Sequence, residues 1–114
     1  MVKLTYDLKG LKELDDIFDI AVDKAIHHLQ PILQEYVRSH HKYKNDTGYL
    51  TSRSFVKDIK ASLHIFNDAE YAQHVAKPHG SWSGDDWIED TIYNNMDLIK
   101  ETIQRFIIEE SRRR

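Results

Sequence analysis

The stretch Asp58-Ile59-Lys60-Ala61-Ser62-Leu63-His64-Ile65 decides the fold class of this chain. Apolar and polar residues alternate along it, which is the period of a strand with one buried face. The preceding residues 53–56 are also of strand-forming types. Segment 54–66 therefore forms either one strand or a hairpin with a tight turn near Asp58. A second alternation, in residues 1–8, predicts an edge strand from Val2, Leu4 and Tyr6.

A helical period follows the edge strand, from about Leu8 to His40. Asp7 is a predicted N-cap for this helix. Pro31 lies inside the pattern and removes a backbone donor, so we expect a kink or a break near residues 27–30. The apolar positions keep one phase across the proline, which favours a kink. These positions are Leu11, Leu14, Phe18, Ala21, Ala25, Leu29, Ile32 and Tyr36.

Two further helices are predicted after the strand segment. Asp68 is expected to cap a short helix that runs through Val75 and ends before Pro78. Ser83 and Asp86 have the spacing of a capping box at the start of a long final helix, and residues 110–114 form a frayed tail. One face of that final helix carries Ile88, Ile92, Met96, Ile99, Ile103 and Phe106.

The order of these elements predicts an α+β fold in a single domain, residues 1–114. A long kinked N-terminal helix and a C-terminal helix pack on a small antiparallel β-sheet, with a short intervening helix. The chain has 114 residues, and a domain of this length buries roughly two thirds of its unfolded surface.

Composition excludes several classes of protein. There is no cysteine, so disulfides, thiol nucleophiles and cysteine-bound metal sites are absent. The apolar runs are too short to cross a bilayer, and the first residues lack the apolar middle of a signal peptide. The net charge of −3 does not favour a polyanion binder. We therefore expect a small soluble domain made inside the cell, with no membrane partner.

Seven histidines raise the question of a metal site. The pairs His27-His28 and His40-His41 are adjacent, so on a helix their side chains point about 100° apart. His74 and His79 lack the glutamate of a zinc-protease motif. No nucleophile elbow or phosphate-binding loop is present. The sequence therefore predicts no enzyme, no cofactor and no metal, with a histidine or carboxylate hydrolase as the least favoured alternative.

Charge is arranged in blocks along the chain. The basic block, residues 38–60, holds Arg38, Lys42, Lys44, Arg53, Lys57 and Lys60 against Asp46 and Asp58. Residues 85–110 hold eight acids against Lys100 and Arg105. Opposite patches on one small domain suit head-to-tail association of identical subunits, and a closed rotation gives a ring. The alternatives are an ordinary solvated surface and a small nucleic-acid-binding regulatory module that uses the basic block.

The candidate interface residues come from these blocks and from one tryptophan. Trp87 is expected in the core, whereas Trp82, in the loop 80–84, is the better contact residue. The candidate interface residues are Arg53, Lys57, Lys60, Trp82, Asp86 and Glu89.

Several short motifs occur in an order that resembles a known family. They are the segment Thr47-Gly48-Tyr49-Leu50, the alternating strand, the segment Tyr71-Ala72-Gln73-His74-Val75, and a glycine loop at Gly80 before the last helix. This order resembles the neck, head–tail joining or tail-completion proteins of long-tailed bacteriophages. The residues after Val75, Ala76-Lys77-Pro78-His79-Gly80-Ser81, depart from the acid and Gly-Thr that usually follow in that family.

The resemblance implies a structural protein of the virion or of a prophage, without catalysis, that forms a ring at the head–tail junction. Its implied partners are copies of itself and the phage connector, head-closure and tail proteins. Thr47 and Gly48 would shape the loop that enters the sheet. Tyr71 and Ala72 would dock the short helix, the ring filling a gap and the small residue allowing close approach. The full set of motif residues is Thr47, Gly48, Leu50, Tyr71, Ala72, Val75 and Gly80.

Overall fold

The computed structural model describes residues 2–7, 16–44, 48–59 and 62–112. It confirms the α+β class, with helices packed on a small antiparallel sheet. In chain order the elements are β1 Val2–Asp7, α1 Asp16–Ser39, α2 Tyr49–Ser52, β2 Ser54–Ile59, β3 Ser62–Asn67, α3 Ala72–Ala76, α4 Trp87–Tyr93 and α5 Met96–Arg112. No helix among the described residues has the length and apolar character needed to span a membrane.

The sheet has the strand order β1-β3-β2, and both neighbouring pairs are antiparallel. Strands β2 and β3 form a hairpin, which decides between the two alternatives for segment 54–66. The predicted turn near Asp58 is wrong, because Asp58 pairs with Leu63 inside the ladder and the connection falls at residues 60–61, outside the described residues. This fold-back places Ile59 opposite Ser62 and leaves it 48% exposed, although the alternation predicted it to be buried.

Helix α1 continues without interruption through Pro31, so the alternative of a break is excluded. Pro31 is exposed, and the backbone donor that it lacks is therefore missing on the solvent side of the helix. The predicted N-cap at Asp7 is wrong, because Asp7 is in β1 and pairs with Ser62. Residues 8–15 of the predicted helix lie outside the described residues.

The buried face of α1 follows the predicted stripe only in part. Ala21, Ala25 and Leu29 are fully buried as expected, whereas Ile32 is 39% exposed and Tyr36 is half-buried. From Leu29 the buried face advances in steps of four residues, which keeps it turned toward the sheet and α5. The residues of α1 that complete the core are Val22, Ile26, Leu33 and Val37.

The predicted final helix is two helices. Helix α4 ends at Tyr93, the turn is made by Asn94 and Asn95, and α5 begins at Met96. Asn95 donates a hydrogen bond from Nδ2 to the carbonyl oxygen of Thr91, 2.7 Å away, which stabilises the turn. The apolar face is confirmed in both helices, where the isoleucines Ile88, Ile92, Ile99 and Ile103 are buried.

Two of the predicted helix caps after the strand segment are wrong. Asp68 forms an ion pair with Arg53, and α3 has Tyr71 at its N-cap position with no side-chain cap. The capping box does not form either, because α4 begins at Trp87 and Asp86 makes no capping hydrogen bond. Helix α5 continues to Arg112, and Glu110 pairs with Lys24 of α1. Residues 113 and 114 are not described.

A row of polar side chains on α1 covers the β2 edge of the sheet. Gln34 accepts a hydrogen bond at Oε1 from the backbone N–H of Val56, at 2.7 Å, and donates from Nε2 to the carbonyl oxygen of Ser54, at 2.8 Å. Gln30 donates to the carbonyl oxygen of Val56 and Arg38 to that of Ser54, at 2.6 and 3.0 Å. These groups satisfy backbone positions that an edge strand otherwise offers to another chain.

Candidate assembly surfaces

The outer face of the sheet, opposite the core, carries two aromatic rings and several cations. Phe55 of β2 and Phe66 of β3 pair across the ladder, and their ring centroids are 5.4 Å apart. The guanidinium carbon of Arg53 lies 5.1 Å from the centroid of Phe55, and the ammonium of Lys57 lies 5.7 Å from that of Phe66. Lys3 of β1 is paired with Phe66 from the other side. We call Lys3, Arg53, Phe55, Lys57 and Phe66 the basic sheet face.

Arg53 is less available for contact with another subunit than its place in the basic block suggests. Its guanidinium forms a two-pronged ion pair with Asp68, in which Nε donates to Oδ1 at 2.5 Å and the second nitrogen donates to Oδ2. The hydrogen bond from Arg53 lowers the pKa of the Asp68 carboxyl. The cation of Arg53 is therefore compensated within the molecule, whereas Lys57 and Lys3 form no ion pair with the described residues, and Lys57 lowers the pKa of Asp68 only through its more distant charge.

Lys60, the remaining basic member of the predicted interface, lies outside the described residues, as does the motif residue Thr47. The part of the basic block that the structure places is therefore Arg38, Arg53 and Lys57 around Phe55 and Phe66, with Lys42 and Lys44 in the segment that follows α1 just after Arg38.

The acidic surface is narrower than the sequence block predicted. On α5 the exposed acids Asp97 and Glu101 alternate with the exposed bases Lys100 and Arg105, so that helix has a mixed surface. The concentrated negative charge belongs to Asp86, Glu89 and Asp90 at the start of α4, all of them exposed. We call these three residues the acidic α4 surface.

The environment of Asp90 shows how closely the carboxylates of this region interact. Although the residue is exposed, its pKa is raised, first by desolvation of the carboxyl group and then by the negative charges of Asp86 and Asp85, against a smaller lowering by Lys42. The carboxyl group of Asp90 therefore holds its proton more readily than an isolated aspartate does. A cation brought to this surface relieves the repulsion.

Asp85 has a structural task that the sequence did not reveal. It is only 2% exposed, and its Oδ2 accepts hydrogen bonds from the backbone N–H groups of Lys42, at 2.6 Å, and Tyr43, at 2.9 Å. These contacts fasten the segment after α1 to the start of α4. Tyr43 in turn packs edge-on against the buried Trp87, with ring centroids 5.3 Å apart.

The motif residues have mainly structural positions. Gly48 precedes α2 with φ of 78°, a backbone conformation that favours glycine, and Leu50 is buried. Ala72 is fully buried in α3, and Val75 packs on the core. Tyr71 does not fill a gap as expected, because it is 44% exposed and lies beside the exposed Tyr49, with ring centroids 6.2 Å apart.

The loop between α3 and α4 is held by contacts of its own. Trp82 is half-buried, and its Nε1 donates to the carbonyl oxygen of Val75 at 2.7 Å, so part of this predicted contact residue is used inside the molecule. Gly80 occupies the turn between His79 and Trp82, which exchange backbone hydrogen bonds. The loop also requires Gly84, a position that the motif did not single out: its φ is 87°, and a Cβ there would lie 2.7 Å from the Ala76 carbonyl oxygen.

Most histidine rings pack against other rings. His40 stacks on Tyr36, and His41 on Tyr43, with centroid distances of 3.9 and 3.7 Å. His27 lies 3.2 Å from the carboxylate of Asp58. Across the ranges that the structure describes, no three histidine, aspartate or glutamate side chains are grouped so as to hold a metal ion.

Comparisons with known proteins return nothing for this chain: no protein-family model, no curated protein and no solved structure matches it.

Proposed function

We propose that this chain is a structural subunit of the head–tail junction of a long-tailed bacteriophage or prophage, a neck or tail-completion protein. It acts without catalysis by assembling with copies of itself into a ring. The ring joins the connector or head-closure proteins to the tail proteins, so the subunit belongs to the virion and is made in the bacterial host.

One observation carries the proposal: surfaces of opposite charge lie on different sides of the same small domain. The basic sheet face looks away from the core. The acidic α4 surface belongs to the helical layer, because Ile88 and Ile92 of α4 are buried on the other side of the sheet with Val56 and Ile65. A molecule cannot bring these two surfaces together within itself. Contact between them therefore requires two copies and is head-to-tail, an arrangement that gives a ring when the rotation between neighbours closes.

The order of the motif residues supports the proposal of a phage neck or tail-completion protein. Gly48 and Leu50 form the entry to the β2–β3 hairpin, and Ala72 and Val75 fix the short helix that follows it. The resemblance to phage neck proteins depends on these residues. These residues lie where one element connects to the next, and a family that shares one architecture is expected to keep residues of this kind at such positions.

Native mass spectrometry and negative-stain electron microscopy test the proposal. We expect rings of one size at high protein concentration and low salt, which dissociate as salt rises, because the contact is electrostatic. A second arm mixes the protein with connector particles, since a connector can template the ring. A chain that stays monomeric at high concentration, and does not associate with connectors, would contradict the proposal.

A second candidate function is nucleic-acid binding at the basic sheet face. The observation that favours it is the pair of Phe55 and Phe66 on an open sheet face beside Lys57 and Lys3, since aromatic rings with nearby cations bind single strands by stacking. A gel shift with single-stranded and duplex DNA over a salt series tests it. No shift at low salt would eliminate this function.

A further inference from the structure

A solvent-open cavity of about 350 Å³ lies between the C-terminal end of α1 and helix α4. Two acidic residues, Asp85 and Asp90, line it with one basic residue, Lys42, whose ammonium lies 5.9 Å from the centroid of the Trp82 ring. The end of α1 adds the negative end of the helix dipole. The electrostatics of this cavity therefore favour an additional cation. The remaining lining residues are Ser39, His40, His41 and Asn94.

Asp85 supplies a second, independent indication of a ligand. Its side chain is buried, and both of its hydrogen bonds, from the N–H groups of Lys42 and Tyr43, end on Oδ2. Oδ1 accepts no hydrogen bond from any residue in the described ranges. Asp85 is only 2% exposed, so Oδ1 has little contact with water, and an acceptor in such a position is normally satisfied by a donor. A cationic donor that enters the cavity would satisfy it.

We propose that this cavity receives the ammonium group of Lys57 from a second copy of the chain. The proposal rests on the proposed function and specifies the contact that joins neighbouring subunits. Lys57 projects from the basic sheet face, is exposed, and forms no ion pair with the described part of the chain. The cavity of the same molecule lies between α1 and α4, on the helical side of the sheet, whereas Lys57 belongs to the opposite, outer face.

The chemistry of a lysine fits this cavity. An ammonium is a compact charge with three donors on a long flexible stem, which suits a recess lined by Asp85 and Asp90. Arg53 is excluded as the donor because it is held by Asp68. The acidic surface outside the cavity, Asp86 and Glu89, then faces the rest of the basic sheet face, including Lys3.

Zero-length carbodiimide cross-linking on an equimolar mixture of ¹⁴N- and ¹⁵N-labelled full-length protein tests the contact directly. We expect mixed-label cross-links that join Lys57 to Asp90 or to Asp86. Sedimentation equilibrium then compares Lys57→Gln and Asp90→Asn with two control variants, Lys100→Gln and Asp97→Asn. Both controls remove an exposed charge of the same kind from α5.

The expected result is at least tenfold weaker self-association for Lys57→Gln and for Asp90→Asn. The double variant should self-associate no more weakly than either single variant, because each substitution removes the same pair. The control variants should associate as the wild type does. Asp90 is exposed, so Asp90→Asn leaves the fold intact, and circular dichroism checks this.

Three results would overturn the proposal. In the first, Lys57→Gln and Asp90→Asn weaken self-association no more than the control variants do. If rings still form in that case, the proposed function stands and only this contact is wrong. A second is the absence of mixed-label cross-links from Lys57. The third is stoichiometric binding of Mg²⁺ or Ca²⁺ that Lys57→Gln leaves unchanged, which would make the cavity a metal site. Mixed-label cross-links without rings, on or off a connector, would instead retain the contact and reject the proposed function.

Discussion

Arg53 and Asp68 close the open end of the β2–β3 hairpin with a two-pronged ion pair. Arg53 immediately precedes β2 and Asp68 immediately follows β3, and the backbone N–H of Asp68 also donates to the carbonyl oxygen of Arg53 at 3.3 Å. The side-chain pair thus extends the ladder by one position beyond Ser54 and Asn67. It fixes both the register of the hairpin and the place where the chain leaves the sheet toward α3.

This ion pair makes the free energy of unfolding depend on pH in the acidic range. Because the folded-state pKa of Asp68 is below its ordinary value of 3.8, its contribution is fully present above that pH and is lost as pH falls through the lowered pKa. We expect Asp68→Asn to reduce stability at pH 7 and to flatten the dependence on pH below 3.8. Urea unfolding at several pH values measures this. An Asp68→Asn chain that is equally stable at pH 7, with the same acid profile, would contradict the assignment; Asp97→Asn is the matched control.

Asn67→Ala should be among the most damaging polar substitutions. Asn67 is fully buried; its Nδ2 donates to the Leu50 carbonyl oxygen and to Ser54 Oγ, and its Oδ1 accepts from the N–H of Ala69. Truncation leaves these buried groups without partners, and we expect a loss of about 2–4 kcal/mol in the free energy of unfolding. Gln104→Ala, at an exposed position of α5, is the control and should cost less than about 1 kcal/mol. Equal losses for the two variants would refute this role.

Two glycine substitutions should differ in a defined direction. Gly84→Ala combines a positive φ with a Cβ placed 2.7 Å from the carbonyl oxygen of Ala76, so the loop between α3 and α4 must move. Gly48→Ala also has a positive φ, but its Cβ would enter open space. We expect about 1–2 kcal/mol of destabilisation at Gly48 and clearly more at Gly84. Thermal unfolding of the two variants gives the order, and the reverse order would be inconsistent with the loop described above.

Gln34→Ala should expose the β2 edge. The substitution removes one hydrogen bond to the N–H of Val56 and one to the carbonyl oxygen of Ser54. We expect a loss of about 1–3 kcal/mol and faster amide exchange at Val56. Glu35→Ala, at the adjacent exposed position of the same helix, should leave both quantities near wild type. Hydrogen exchange monitored by nuclear magnetic resonance measures Val56 directly, and unchanged protection there would mean that Gln34 does not cover the edge.

The sequence predicted the elements better than their ends. The alternation around Leu63 and Ile65 and the helical period through Ala21, Ala25 and Leu29 were correct, because burial of apolar side chains follows such periods closely. The predicted caps at Asp7, Asp68 and Ser83 were wrong. A carboxylate or hydroxyl suits a helix end, a strand or an ion pair equally well, and the partner is set by residues far away in the chain.

The candidate surfaces were predicted in outline. Lys57, Asp86 and Glu89 are exposed as expected, while Arg53 and Trp82 are engaged within the molecule and the negative charge concentrates on α4. The pairing of Phe55 with Phe66 was not foreseen, because it depends on where the hairpin turns. The sequence did not show that Asp85 is buried and Asp86 exposed. The two residues are chemically identical, and only the backbone path of the loop decides which side chain points into the molecule.

By itself the sequence determined the α+β class and which faces of its helices and strands are apolar, because these follow from periodicity, a local property of the chain. Tertiary structure alone decided that the C-terminal helical segment divides at Asn94, that Gln30 and Gln34 cover a strand edge, and that positive and negative surfaces lie on different sides. Each of these three features depends on contacts between residues more than a dozen positions apart or on the direction of a turn. A local sequence pattern contains no information about either.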